Sequence, residues 1–79
     1  MDRIEGLRKE CLMKLAAAET ILELYEESLP TIAKLRLRTK INILTHLLDY
    51  RTYSHFLNVE ELNKYVENNI NIILGFYEE

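Results

Sequence analysis

One stretch of the chain constrains its fold more than any other, because Ile32 to Tyr53 reads as a helix that is apolar around most of its circumference. At 100° per residue its apolar side chains spread over about 240° of a helical wheel, whereas a typical surface helix has a stripe little wider than about 100°. These side chains are Ile32, Leu35, Leu37, Ile41, Ile43, Leu44, Leu47, Leu48, Tyr50 and Tyr53. Such a helix needs more than one neighbouring helix to cover it.

The residues before this stretch predict a first helix from about residue 2 to residue 28. Its apolar side chains recur every three or four residues, which is typical of a continuous helical seam. They are Ile4, Leu7, Cys11, Leu15, Ala18, Leu22, Tyr25 and Leu29. The helix should end near Ser28, because Pro30 disfavours helical geometry in the residue before it. A second helix, from about residue 31 to residue 53, can begin directly after the proline.

A third helix is predicted from about residue 59 to residue 78. Asn58 can cap its first turn and Glu61 can reciprocate, while Leu57 and Leu62 have the spacing of a hydrophobic staple. The expected apolar face consists of Leu62, Tyr65, Val66, Ile70, Ile73, Leu74, Phe76 and Tyr77. Together the three segments predict an all-α fold, a three-helix antiparallel hairpin or bundle that forms a single domain over residues 1–79.

Self-association is expected for two reasons. A chain of 79 residues buries only a modest share of its unfolded surface, and the wide apolar arc of the second helix leaves area to cover. A fainter apolar stripe also runs along the first helix, through Met13, Ala17, Thr20 and Leu24. Scattered apolar side chains are common on surfaces, but the two features together favour a two-fold dimer that completes a larger bundle. The candidate interface residues are Ile43, Leu47, Tyr50, Met13, Leu24 and Asn69.

Asn69 is a candidate for a different reason, since it falls inside the apolar face of the third helix. A buried asparagine can fix the register or the number of helices in an assembly. Alternatively, the face is only partly buried at this point and the amide contacts water. The sequence does not distinguish these two possibilities.

The net charge of −3 hides a strong division along the chain. Residues 1–30 carry four basic and seven acidic side chains, residues 31–57 carry five and one, and residues 58–79 carry one and five. The basic middle segment can bind nucleic acid, or it can be matched electrostatically to its own acidic neighbours. The candidate nucleic-acid-binding residues are Lys34, Arg36, Arg38, Lys40 and Arg51. On the second interpretation, Arg36 and Lys40 pair with acidic side chains of the first helix such as Glu19, Glu23 and Glu26.

No set of residues predicts a reaction. A polar stripe on the second helix contains Arg38, Asn42, His46, Asp49 and Tyr53. His46 and Asp49 could form a general-base pair, but no nucleophile or set of oxyanion donors accompanies them. Cys11 is the only cysteine, which excludes an internal disulfide and a thiolate cluster, and we expect it to be a small core residue. We expect no enzyme, no metal site and no cofactor.

The sequence therefore predicts a small protein–protein interaction or regulatory protein that acts as a homo-oligomeric helical bundle. The alternative is a small nucleic-acid-binding regulator that uses the basic segment of the second helix. The chain has neither the apolar core of a signal peptide near Met1 nor a run long enough to span a membrane, so we expect a cytoplasmic location without membrane contact.

Overall fold

The protein is all-helical in its computed structural model, which describes residues 3–50 and 52–75, and at Tyr50 and Thr52 the backbone alone. No strand occurs within these two ranges, and the predicted fold class is confirmed. The elements in chain order are α1 (Arg3–Tyr25), α2 (Thr31–Tyr50), a 3₁₀ helix (Thr52–His55) and α3 (Val59–Gly75).

Helices α1 and α2 form an antiparallel hairpin. Near the open end of the hairpin, the Cys11 thiol lies 3.9 Å from the Leu44 carbonyl oxygen. Near the closed end, the Arg38 guanidinium lies 2.9 Å from the carboxylate of Glu26. The sequence separation of the two partners falls from 33 residues for Cys11 and Leu44 to 12 residues for Glu26 and Arg38. A separation that decreases toward the connecting turn is what an antiparallel pair requires.

Helix α3 packs against the other side of α2, again in antiparallel orientation. His46, towards the end of α2, borders the same groove as Tyr65 in the first half of α3. Leu35, near the start of α2, lies beside Leu74 at the end of α3. Helix α2 is therefore the central helix and α1 and α3 lie on either side of it, which fits its unusually wide apolar arc.

The core lies where all three helices and the 3₁₀ helix meet. Tyr53 and Phe56 enter it together, at 1% and 6% exposure, because residues three apart in 3₁₀ geometry lie on the same side of the chain. The Phe56 N–H donates to the Tyr53 carbonyl over 3.0 Å. The full core is Leu7, Cys11, Leu44, Leu47, Tyr53, Phe56, Leu62, Val66, Ile70 and Leu74.

Two of the predicted helix ends are wrong. Helix α1 ends at Tyr25 instead of about residue 28, because the Tyr25 carbonyl accepts the N–H groups of both Ser28 and Leu29, at 2.9 and 3.0 Å, in a tightened turn. Helix α2 ends at Tyr50 instead of about residue 53. The weak helix formers that follow adopt the tighter 3₁₀ geometry, which buries two aromatic rings. The predicted start at residue 2 and the predicted end at residue 78 lie outside the described residues.

The predicted start of α3 and its asparagine cap are confirmed. The Glu61 N–H donates to the Asn58 side-chain oxygen over 2.9 Å, so the asparagine caps the first turn. The Glu61 carboxylate accepts from the N–H of Leu57 over 2.9 Å, one residue before the position that a standard capping box uses. Leu57 itself remains 74% exposed, and the expected staple with Leu62 does not bury it.

Candidate functional site

The wide apolar arc of α2 is covered largely by the chain itself. Leu44 and Leu47 are buried in the core, and Leu35, Ile43 and Leu48 pack against it in half-buried positions. Helices α1 and α3 each cover one side of α2, while Ile32 stays 42% exposed. The expectation that a second copy covers area on this arc stays a prediction.

The uncovered apolar side chains lie mainly on α1 instead. Met13 is 59% exposed and Leu24 is 67% exposed. They belong to the strip that the sequence predicted, and Ile21, at 42% exposure, extends it. Ile21 was not predicted from the sequence, although a helical wheel places it beside the strip. We call this surface the outer face of α1, and it consists of Met13, Ala17, Thr20, Ile21 and Leu24, all of which are exposed.

The outer face points away from α2. The buried side chains of α1 are Leu7, Cys11 and Ala18. Helical geometry puts the strip from Met13 to Leu24 roughly 100–160° around the cylinder from them, and Ile21 lies at its near edge. Thr20 does not make the strip strongly polar, because its hydroxyl donates to the Ala16 carbonyl oxygen over 2.8 Å. An exposed apolar strip of this length is typical of a helix that packs against another molecule.

The charges on α1 are divided along its length. Residues 3–14 carry four basic and two acidic side chains, whereas residues 15–25 carry two acidic and no basic ones, and Glu26 and Glu27 follow in the turn after the helix. Lys9 and Glu23 are exposed and flank the outer face. Within the described ranges neither of them forms an ion pair, while Lys14 lies 3.9 Å from Glu10 within the helix. Lys9 and Glu23 are therefore available to another molecule.

A second surface is an open groove between α2 and α3. One part of it, of about 280 Å³, has an apolar floor and a rim that contains two amides and an imidazole. The next part, of about 290 Å³, continues toward Arg38 and Ile73. Each part lies below the range of about 300–1,000 Å³ that is typical of small-molecule sites. The residues of the first part are Asn42, Ile43, His46, Leu47, Tyr65 and Asn69.

This groove explains why two side chains of α3 are less buried than predicted. Tyr65 and Ile73 were expected in the core but are 43% and 37% exposed. Helix α3 contacts α2 through the row that contains Val66 and Ile70, so the flank that carries Tyr65 stays open. The ring of Tyr65 packs edge-on against Phe56 at a centroid distance of 5.1 Å, and its outer side borders the groove.

The structure separates the five predicted interface residues whose side chains it describes. Met13 and Leu24 lie on the outer face of α1, far around the helix from α2. Ile43 and Leu47 line the groove, and Leu47, at 6% exposure, belongs to the core. Asn69 is half-buried, and its amide nitrogen donates to the Tyr65 carbonyl within α3 over 2.8 Å. The side chain of Tyr50 lies outside the described residues.

The basic residues of α2 are partly engaged by acidic neighbours. Arg36 donates to Glu67 over 3.0 Å and to the Asn71 side-chain oxygen over 3.2 Å, so the predicted pairing of Arg36 with the first helix is wrong in its partner. Arg38 pairs with Glu26 of α1 instead. The reason is that α3 covers the side of α2 that carries Arg36. Lys34 and Lys40 are half-buried, and Arg51 lies outside the described residues.

The thiol of Cys11 lies in the interior of the protein. Cys11 is 0% exposed; burial raises the pKa of its thiol, and a hydrogen bond with Tyr53 lowers that pKa to a smaller extent. Tyr53, which was predicted to extend a polar stripe with His46, is a core residue. No group of His, Cys, Asp or Glu among the described residues could hold a metal ion. No helix in the described part is long and apolar enough to cross a membrane.

Comparison with known proteins does not assign the chain to a family. No family model matches it, and neither a curated protein nor a solved structure does so. The function of the protein is therefore inferred from the outer face of α1 and the groove between α2 and α3.

Proposed function

We propose that this protein is a small, non-enzymatic interaction or regulatory protein of the cytoplasm that acts as a homo-oligomeric helical bundle, most simply a two-fold dimer. The outer face of α1 is the surface through which the copies associate. The α2–α3 groove remains outside this contact and is free for a further partner.

One observation carries the proposal. Met13 and Leu24 are 59% and 67% exposed on the same side of one helix, with Ala17, Thr20 and Ile21 between them. Isolated exposed apolar side chains are ordinary, but this set is continuous over about 16 Å of helix at 1.5 Å per residue. Its small central residues allow a second helix to approach closely, and its large end residues supply apolar area.

The proposal is tested by sedimentation of the purified protein over a dilution series. Wild-type protein should dissociate reversibly from a dimer as it is diluted. The double substitution Met13→Gln with Leu24→Gln keeps the charge and the helix propensity close to those of the wild type, and it should raise the dissociation constant at least about 30-fold, as expected for about 2 kcal/mol of interface energy.

The matched control is Ile72→Gln on α3, because Ile72 is 60% exposed and lies outside the outer face of α1. This variant should dimerise like the wild type. A wild-type protein that is monomeric at every concentration would contradict the proposal. So would a dimer that Ile72→Gln dissociates and the α1 double variant does not.

A further inference from the structure

We infer that the partner of α1 is the same helix of a second copy in antiparallel orientation, with Met13 of each chain opposite Leu24 of the other. This inference rests on the proposed function, since it requires self-association through the outer face of α1. It adds the orientation and the register of the two helices, and it follows from where the charges of α1 stand relative to the apolar strip.

The strip has the spacing of a seam between two helices. Met13, Ala17, Thr20 and Leu24 follow one another by four, three and four residues, which averages close to the 3.5-residue period of a two-helix seam. In an antiparallel pair centred between Ala17 and Thr20, each small residue faces the other small residue of the partner helix. Each large end residue then faces a large end residue.

Charge complementarity then selects the orientation. Lys9 and Glu23 flank the seam on the same side, because they are separated by 14 residues, or two periods of seven. In an antiparallel pair with the register given above, same-side positions of the two helices approach each other. Lys9 of one copy then stands on the same side as Glu23 of the other, five residues or about 7.5 Å from it along the axis. The two long side chains make the pair across this offset, and the two-fold axis repeats it.

The parallel orientation gives the opposite result. In a parallel pair, a residue that flanks the seam on one helix meets the residue five positions later on the other helix. Lys9 of one copy therefore lies beside Lys14 of the other. Identical seam positions also face each other, so that Glu10 approaches its own copy. Both contacts bring like charges together, and flanking charges of this kind set the orientation of paired helices.

The whole helix shows the same asymmetry. Its first half carries four basic and two acidic side chains, and its second half, up to Tyr25, carries two acidic side chains and no basic one. Antiparallel pairing overlays the two unlike halves. One contact opposes it, because Glu10 faces the turn after α1 where Glu27 stands. The ammonium of Lys14, 3.9 Å from the Glu10 carboxylate, reduces the cost of that contact.

A charge exchange on the intact chain tests the inference by sedimentation. Lys9→Glu alone and Glu23→Lys alone should each raise the dissociation constant of the dimer about fivefold, because each disrupts two exposed ion pairs of about 0.5 kcal/mol. The double variant, with both exchanges, should recover wild-type affinity to within about twofold. In a parallel dimer, Lys9→Glu would strengthen association, since it removes a repulsion, and that result would overturn the inference.

Cross-linking gives a second readout that does not depend on the strength of ion pairs. Met13→Cys and Leu24→Cys proteins are prepared separately, with the buried Cys11 left in place. In air, an equimolar mixture should form disulfide-linked dimers of the two variants, and each variant alone should form few. Self-linking of each variant alone shows a parallel pair and overturns the orientation while the proposed function survives. A wild-type protein that never dimerises overturns both.

Discussion

The guanidinium of Arg36 on α2 lies 3.0 Å from the carboxylate of Glu67 on α3 and joins the two helices beside the core. Arg36 also reaches the side-chain oxygen of Asn71, one turn further along α3. The basic centre and the acidic last third of the chain are thus matched to each other at this contact. Arg38 and Glu26 make the corresponding contact between α2 and α1.

The Arg36–Glu67 pair is predicted to contribute modestly to stability. Both side chains are about half exposed, at 42% and 56%, and such pairs contribute roughly 0.2–1 kcal/mol. A double-mutant cycle with Arg36→Gln and Glu67→Gln, measured by urea unfolding, should give a coupling free energy in that range that falls as salt is added. The equivalent cycle for Lys64 and Glu60, whose side chains lie 3.9 Å apart at 77% and 80% exposure, should give less. Equal coupling free energies in the two pairs would contradict the prediction that the Arg36–Glu67 pair is the stronger one.

Leu62 and Leu57 provide a matched test of the core. Leu62 is 0% exposed and Leu57 is 74% exposed, five residues away in sequence. Leu62→Ala should lower the free energy of unfolding by about 2–5 kcal/mol through lost burial and a residual cavity, whereas Leu57→Ala should change it by less than about 0.5 kcal/mol. Urea unfolding followed by circular dichroism measures both. A similar loss in the two variants would show that α3 does not pack through the row that contains Leu62.

Part of this arrangement could be predicted from the sequence, and part depends on how the helices meet. The cap of α3 is a local property of Asn58 and Glu61, and it could be predicted from their spacing. The exposure of Tyr65 could not be predicted from the sequence, because Tyr65 and the buried Leu62 lie on the same apolar face of α3. Which edge of that face α2 covers depends on the rotation of one helix against the other. Local spacing does not encode that rotation.

The same distinction applies to the apolar surface that remains uncovered. The sequence pattern identified the strip through Met13 and Leu24, since four-and-three spacing is visible without a structure. It placed Leu47 in the same interface, because a wide arc on one helix does not show which side its own neighbours will cover. Which apolar side chains of α2 are buried depends on how both α1 and α3 pack against it.

Cys11 is predicted to report opening of the core. Its thiol is buried against α2 and the 3₁₀ helix, and burial raises its pKa, so little thiolate forms and little is accessible. An aromatic disulfide reagent should label native protein slowly, at the rate of opening, and should label urea-unfolded protein at once. The Met13→Cys variant, with a thiol on the exposed outer face of α1, should add one fast-labelling group. Fast labelling of Cys11 in native wild-type protein would contradict its burial.

The raised pKa also predicts a pH dependence. Above the ordinary thiol pKa of 9.0, the unfolded chain loses the Cys11 proton while the folded chain retains it. The folded state then binds more protons than the unfolded state, so stability falls as the pH rises through this range. The stability that the protonated Cys11 thiol contributes is fully present below pH 9.0. Subtracting the pH profile of Cys11→Ala from that of the wild type isolates the contribution, and a difference that does not change between pH 8 and 10 would contradict the prediction.

The last prediction concerns the basic segment of α2. Nucleic-acid binding requires cations that are free to replace the counterions of phosphates, yet Arg36 and Arg38 already contact carboxylates. Wild-type protein is therefore expected not to bind labelled duplex DNA or single-stranded RNA at about 150 mM salt, as measured by fluorescence anisotropy. Glu26→Gln with Glu67→Gln would release both guanidinium groups and should increase binding at low salt, which makes it the positive control. Salt-dependent binding by the wild type that Lys34→Glu with Lys40→Glu abolishes would contradict this expectation and favour a nucleic-acid-binding regulator.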